Sequence, residues 1–285
     1  MAAEPDRPIG LIAGKGRCPF LAAEGMRKAG KRVIVAGLSG QASPELIALA
    51  DVFRWVGVLK MGSWISTLRK HGVSEAVMVG SVDKKLLHKR FGFLRLIPDF
   101  RTLRLYFGKV RKDKRDSAML LATADELSSE GIELVSSVKY CSEHLASEGI
   151  MTAGDISRGL QEDVDFGWRI ARSSANLDIG QSIAVKKCDI IAIEAIEGTD
   201  AMIARAGKLC PAGGWTMIKV ARENQDMRFD VPTVGPETIQ NLKKAKCSCL
   251  VLEAGKTLIV DKAETLALAK RLGITVVGVR NNFEQ

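Results

Sequence analysis

Aromatic residues are scarce in this chain, at 5% of 285 residues, and there are only three histidines, two tyrosines and six cysteines. Few rings to stack on bases, and no recognisable nucleic-acid motif, argue against a nucleic-acid partner despite a basic composition. His71, His88 and His144 are far apart and share no spacing, so neither a zinc site nor a Ser-His-Asp triad has support, and no G-x-S-x-G elbow occurs. Surface positions are expected for all three. The cysteines (Cys18, Cys141, Cys188, Cys210, Cys247, Cys249) are dispersed, and the one close pair, Cys247-x-Cys249, sits in an apolar strand pattern. That reads as buried thiols rather than a disulfide or metal framework. No apolar run is long enough to cross a bilayer, and the start, MAAEPDRPIG, lacks a signal-peptide core. The expectation is a cytoplasmic protein.

What the chain does have is positive charge, with a formal net charge of +9. Such a surface attracts anions: nucleic acid, anionic lipid or a phosphorylated small molecule. The charge is concentrated between Lys84 and Arg115, which hold twelve Lys/Arg against two acids, Asp99 and Asp113, interleaved with apolar residues as in FGFLRLIPDFRTLRLYFG. An amphipathic basic segment of this kind suits a membrane surface or acyl-chain contact, and equally a solvated helix face.

A length of 285 residues and 46% hydrophobic content suit two domains of ordinary size. Pro8–Ala13 reads as a strand, Gly14-Lys15-Gly16 as a glycine turn and Pro19–Ala29 as a helix. Continuous apolar runs at Arg32–Gly37 and Glu75–Gly80 read as strands buried on both faces, with helices at Pro44–Ala50 and Met61–Lys70. Asp116–Glu130 follows as a helix and Ile132–Val138 as a strand. Alternation of this kind predicts a Rossmann-like parallel sheet over residues 1–139. Residues 140–285 predict a distinct mixed α/β domain, with a helix at Asp163–Ser174, a hairpin of Ser182–Lys186 and Asp189–Ala195, and a helix at Ala201–Ala206. Strands are expected at Trp215–Val220, Cys249–Leu252, Thr257–Val260 and Ile274–Val279, with helices at Pro236–Ala245 and Lys262–Leu272.

Three stretches carry chemistry. Gly14-x-Gly16 between strand and helix can bring backbone N–H groups to a phosphate, or can simply connect the two. Pro19 and the absence of an acid after Gly37-Leu38-Ser39 exclude a dinucleotide fingerprint. Glu194, Glu197 and Asp200 flank Gly198 at a strand end, where carboxylates suit Mg²⁺ or Mn²⁺. The local alternative, which those residues taken alone favour, makes Thr199 a helix N-cap with Asp200 in the first turn. In Lys219–Gly235, KVARENQDMRFDVPTVG, a strand runs into Arg222, Asp226, Arg228 and Asp230, and Pro232 and Gly235 then break regular structure. Asp230 there can cap a turn or hold a carboxylate rigidly for catalysis.

Together, LIAGKGRCPFLAAEGMRKAG, KRDSAMLLATADELSSEGI, LDIGQSIAVKKCDIIAIEAIEGTDAMIARAG and KVARENQDMRFDVPTVG resemble the LpxI-type UDP-2,3-diacylglucosamine pyrophosphatases of lipid A biosynthesis. The resemblance implies hydrolysis of UDP-2,3-diacylglucosamine to lipid X (2,3-diacylglucosamine 1-phosphate) and UMP with a divalent metal, Mg²⁺ or Mn²⁺. It also implies a Rossmann-like first domain, a distinct second domain, and an essential aspartate that maps onto Asp230. Lys15 interrupts a glycine run common in the family, and Asp116-Ser117 stands where two aspartates are usual. On this basis Asp230 is the expected catalytic residue, as metal ligand or as the base that orients water, with Glu197 and Asp200 as further metal ligands. Lys219 and Arg228 are expected on phosphate oxygens, with Gly14, Lys15, Gly16, Thr199 and Thr233 as further substrate contacts. Two acyl chains call for transient contact with a membrane surface, peripheral to the inner membrane, by a chain acting alone or as a homo-oligomer. The alternative function is a non-catalytic binding protein for a nucleotide sugar or an anionic lipid.

Overall fold

A computed structural model of the chain describes residues 7–83, 97–110, 116–152 and 156–280. Most of the basic segment 84–115, and His88, lie outside these residues. The chain forms two compact units: Met1–Cys141 with Met227–Phe229, and Ser142–Asp226 with Asp230–Gln285.

The first unit is built on a five-stranded parallel sheet in the order β3-β2-β1-β4-β5, from β1 (Ile9–Ala13), β2 (Val33–Leu38), β3 (Val52–Val56), β4 (Glu75–Val79) and β5 (Glu133–Leu134). Every residue of β1 and β2 is buried. Their continuous apolar runs therefore have helices to bury against on both faces, as parallel strands require. Helix α1 (Cys18–Lys28) covers one face with Ala22, Ala23 and Met26. Helices α2 (Met61–Lys70), α3 (Phe100–Leu105) and α4 (Asp116–Ser129) cover the other, through Ile65, Leu68, Leu105 and Leu127.

Three local expectations are corrected. Pro44–Leu49 is a 3₁₀ helix, opened by Ser43, whose hydroxyl accepts from the Glu45 N–H. The strand expected over Ile132–Val138 is only Glu133–Leu134, because Ser137 turns aside: its N–H and its hydroxyl both donate to the Met227 carbonyl, each at 2.9 Å. Strand β3 was not anticipated, since it lies at the sheet edge with Arg54 and Trp55 exposed and lacks a buried-strand signature.

The second unit holds a six-stranded mixed sheet, order β6-β13-β11-β9-β7-β8, from β6 (Gly149–Ile150), β7 (Ser182–Lys186), β8 (Asp189–Ile193), β9 (Trp215–Lys219), β11 (Cys247–Glu253) and β13 (Thr275–Val279). Strands β9, β11 and β13 run parallel. β7 and β8 form the expected antiparallel hairpin, and β7 also pairs antiparallel with β9. A short parallel pair, β10 (Thr233–Val234) and β12 (Leu258–Ile259), stands apart. Helix α5 (Arg158–Asn176) is longer than expected at both ends and packs Val164, Trp168, Ala171 and Ala175, one helical stripe, on one sheet face. Helices α6 (Thr199–Leu209), α7 (Pro236–Lys244) and α8 (Lys262–Arg271) cover the other through Met202, Ile203, Ile239, Leu242 and Ala269. Cys247 and Cys249 are buried in β11, where burial holds their thiols protonated, that of Cys249 pushed up to about 12. Cys188 departs from the buried expectation: it lies exposed in the β7–β8 turn, where Lys187 and Cys188 both adopt positive φ. His71 and His144 are half-buried rather than on the open surface.

Candidate active site

Ligands of open α/β sheets gather outside the carboxyl ends of the strands. In the second unit that edge carries Lys219, the last residue of β9, and the strand pairing places Ser182, first residue of β7, opposite it. Lys219 is 5% exposed and Ser182 fully buried. The Lys219 ammonium donates to Ser182 Oγ at 3.1 Å and to Thr199 Oγ1 at 3.0 Å. Thr199 Oγ1 in turn donates to Glu194 Oε1 at 2.7 Å. Burial pulls the Lys219 pKa below its ordinary value, and the carboxylates of Glu194, Asp230 and Asp200 oppose that shift.

Backbone geometry fixes these groups. Glu194 follows β8 directly, and its N–H donates to the Ser182 carbonyl at 2.8 Å. A Cβ at position 180 would lie 2.0 Å from the Glu194 carbonyl oxygen, so only glycine lets the two chain segments meet. Gly198, at φ 83°, is the N-cap of α6. Thr199 is consequently the first helical residue, and its hydroxyl bridges Glu194 and Lys219 instead of capping the helix, which corrects the local expectation.

Asp230 is exposed and stands in the loop after β9, its N–H donating to the Asp226 carbonyl at 3.1 Å and its Oδ2 lying 3.6 Å from Arg222. Arg222 is shared with Asp178 at 3.0 Å. Asp200 is also exposed, and its Oδ1 accepts from Asn241 at 3.0 Å. Glu197 is engaged elsewhere, one oxygen by Arg205 at 2.5 Å and the other by the Ala195 N–H at 3.1 Å. Its own backbone N–H and Arg205 hold its carboxyl below the usual range. Thr233 is exposed and its hydroxyl donates to the Val231 carbonyl. Among the described residues no three His, Cys, Asp or Glu side chains converge into a metal-binding group.

Gly14, Lys15, Gly16 and Arg228 belong to the first unit. At the carboxyl edge of its sheet, the Gly14 N–H donates to Val79 and the Lys15 N–H to Ser81, so two of the loop's donors are committed to the fold. A Cβ on Gly14 would meet the Ser81 carbonyl at 2.7 Å, which accounts for glycine there. Lys15 and Gly16 remain exposed. The Arg228 guanidinium lies 5.0 Å over the Phe229 ring. Ser182, which binds the Lys219 ammonium, and Asn241, which donates to Asp200, carry no local signal in the sequence, and Glu194 stands there only as one of three carboxylates around Gly198. The register that pairs Ser182 with Lys219 is a long-range fact with no local signature.

The family models for the LpxI N-terminal and C-terminal domains match residues 8–144 and 147–277. UDP-2,3-diacylglucosamine pyrophosphatase LpxI from Caulobacter vibrioides is 32% identical over 283 residues, covering 96% of this chain and 98% of that protein. The chain belongs to the LpxI family. The two LpxI domains divide the sequence where the first unit gives way to the second, with Met227–Phe229 as the part of the LpxI C-terminal match that joins the first unit.

Proposed function

We propose that the chain hydrolyses UDP-2,3-diacylglucosamine to 2,3-diacylglucosamine 1-phosphate and UMP, a step of lipid A biosynthesis. The observation that carries this is a buried ammonium facing three carboxylates at a sheet's carboxyl edge, in a chain that matches a relative of that activity along nearly its whole length. Pyrophosphate cleavage needs neutralisation of phosphoryl charge and a positioned water. Lys219 supplies fixed positive charge in a site shielded from water, where it counts for more than at the surface. Asp230, exposed beside it, is the proposed catalytic residue and orients the water. Arg222 lies 3.6 Å from the Asp230 carboxylate, and Arg228, Lys15 and Thr233 are proposed substrate contacts with Gly14 and Gly16.

The donor chemistry fits a hard divalent ion, Mg²⁺ or Mn²⁺: Asp230 and Asp200 would hold it, and Glu197 would join them by releasing Arg205. Magnesium characteristically takes one or two carboxylates and completes its shell with water and substrate phosphate. When bound, the ion makes its water more acidic and polarises the phosphoryl oxygens.

Contact with a membrane surface is part of the proposal, by a cytoplasmic chain peripheral to the inner membrane. Phe100, Leu103 and Phe107 form an exposed stripe at helical spacing, 82%, 39% and 61% accessible, beside the exposed Arg104. No helix among the described residues is long and apolar enough to cross a membrane.

Incubation with UDP-2,3-diacylglucosamine and Mg²⁺ or Mn²⁺ in heavy-oxygen water, followed by mass analysis, tests the reaction. Lipid X and UMP are the expected products, and the label reports which phosphorus is attacked. Tight substrate binding with no UMP released under any metal condition would instead establish a binding protein.

A further inference from the structure

Glu194 Oε2 is buried and has no hydrogen-bond partner among the described residues, although Oε1 of the same carboxylate is bound by Thr199. Buried polar atoms are nearly always satisfied, so an orphan oxygen beside a catalytic edge calls for an explanation. Hydrogen accounting around Lys219 supplies one. The single hydroxyl hydrogen of Thr199 goes to Glu194, so Thr199 Oγ1 can only accept from Lys219. Ser182 Oγ accepts a second ammonium hydrogen. An ammonium has three, and the third has no partner among the described residues.

We propose that Glu194 is a positioning residue for pyrophosphate cleavage: through Thr199 it fixes the rotation of the Lys219 ammonium and holds its third hydrogen ready for a phosphoryl oxygen. This rests on the pyrophosphatase reading above. Of the three acids that act on Lys219, Glu194 alone is linked to it by hydrogen bonds. Asp200 and Asp230 are exposed, paired with Asn241 and Arg222, and screened by water. The place of Glu194 is set by Gly180 beneath its carbonyl and by Ser182, which binds both the Glu194 N–H and the Lys219 ammonium.

The test is a mutant cycle. Glu194→Gln, which replaces a charge-assisted acceptor of the Thr199 hydroxyl with a weaker neutral one, is expected to lower kcat at least about tenfold. Glu194→Asp should recover part of it, and Thr199→Val, which deletes the hydroxyl link at constant volume, should reproduce the Gln loss. In a Lys219→Met background Glu194→Gln should change turnover less than about twofold, because residues acting as one unit are not additive. Thermal midpoints separate this from misfolding. Wild-type kcat in Glu194→Gln, or losses that multiply in the double variant, would overturn the assignment. If the wild type releases no UMP, the pyrophosphatase reading itself fails. The same cycle read by calorimetric binding of inorganic pyrophosphate then decides: weakening by Glu194→Gln only where Lys219 is present supports the assignment, and equal or no weakening in both backgrounds overturns it.

Discussion

Glu253 Oε2 accepts the backbone N–H of Ala221 at 2.8 Å, tying the end of β11 to the chain as it leaves β9 two residues after Lys219. Arg172 from α5 lies against the same carboxylate at 3.3 Å and donates to the Ala221 carbonyl at 3.0 Å, so both polar groups of Ala221 are gripped. Glu253 is 1% and Arg172 11% exposed at the side chain. Removing one member of a buried pair strands the other, at about 3–5 kcal/mol. Glu253→Gln keeps an acceptor for Ala221 and removes the charge, so we expect a loss of about 3 kcal/mol in urea unfolding. A loss under about 1 kcal/mol would mean that the pair contributes little.

Asp230 behaves differently because it is exposed and its link to Arg222 is long. Surface ion pairs contribute about 0–1 kcal/mol. Asp230→Asn should therefore leave the thermal midpoint nearly unchanged and reduce lipid X formation by at least about a hundredfold, the scale seen on losing a key catalytic group. Undiminished turnover by pure Asp230→Asn protein removes it from the mechanism.

Lys219 should divide activity from stability at alkaline pH. Its folded-state pKa is lowered by burial from the ordinary 10.5. Between the lowered value and 10.5 the unfolded chain holds a proton that the folded chain has released, so this residue's contribution to stability rises with pH across that window. The active, charged form empties over the same window. Turnover should fall on the alkaline side before the fold is lost, as paired kcat and circular-dichroism profiles would show. Activity that tracks unfolding step for step contradicts this.

Metal removal gives a further check. EDTA should stop the reaction, and Mg²⁺ or Mn²⁺ should restore it. Asp200→Asn is expected to raise the metal concentration needed for half-maximal rate, whereas full turnover in chelator excludes the metal from the mechanism.

The exposed stripe on α3 and the turn after it predicts lipid adsorption. Phe100→Ser with Phe107→Ser should reduce co-sedimentation with vesicles containing anionic lipid, with little effect on stability, since both rings are mainly in solvent. Equal sedimentation by wild type and variant points to another role for these rings.

Much of the architecture was legible because both periodicities were strong. The all-apolar runs of β1 and β2 announce strands buried on both faces, and the alternation of runs with helices announces parallel pairing. The β7–β8 hairpin was legible from its two short runs, even though Lys187 and Cys188 turn it with positive φ and no glycine. The site was legible only in part. EGTD and the loop to Asp230 are visible as segments, whereas the meeting of Ser182, Glu194 and Lys219 depends on strand register, and the need for Gly180 depends on a backbone contact fourteen residues away. Local composition contains neither.

Met227–Phe229 belong to the first unit: Met227 receives the Ser137 hydrogen bonds and Phe229 packs on the cluster containing Leu68, Leu105 and Leu127. The units are therefore not separable by one cut. Recombination between LpxI relatives through a single crossover near residue 141 would leave the first unit with a borrowed three-residue plug, cut to fit another core. A working chimera needs three junctions, so that residues 227–229 travel with the core they fill while Asp230, the very next residue, stays with the other parent.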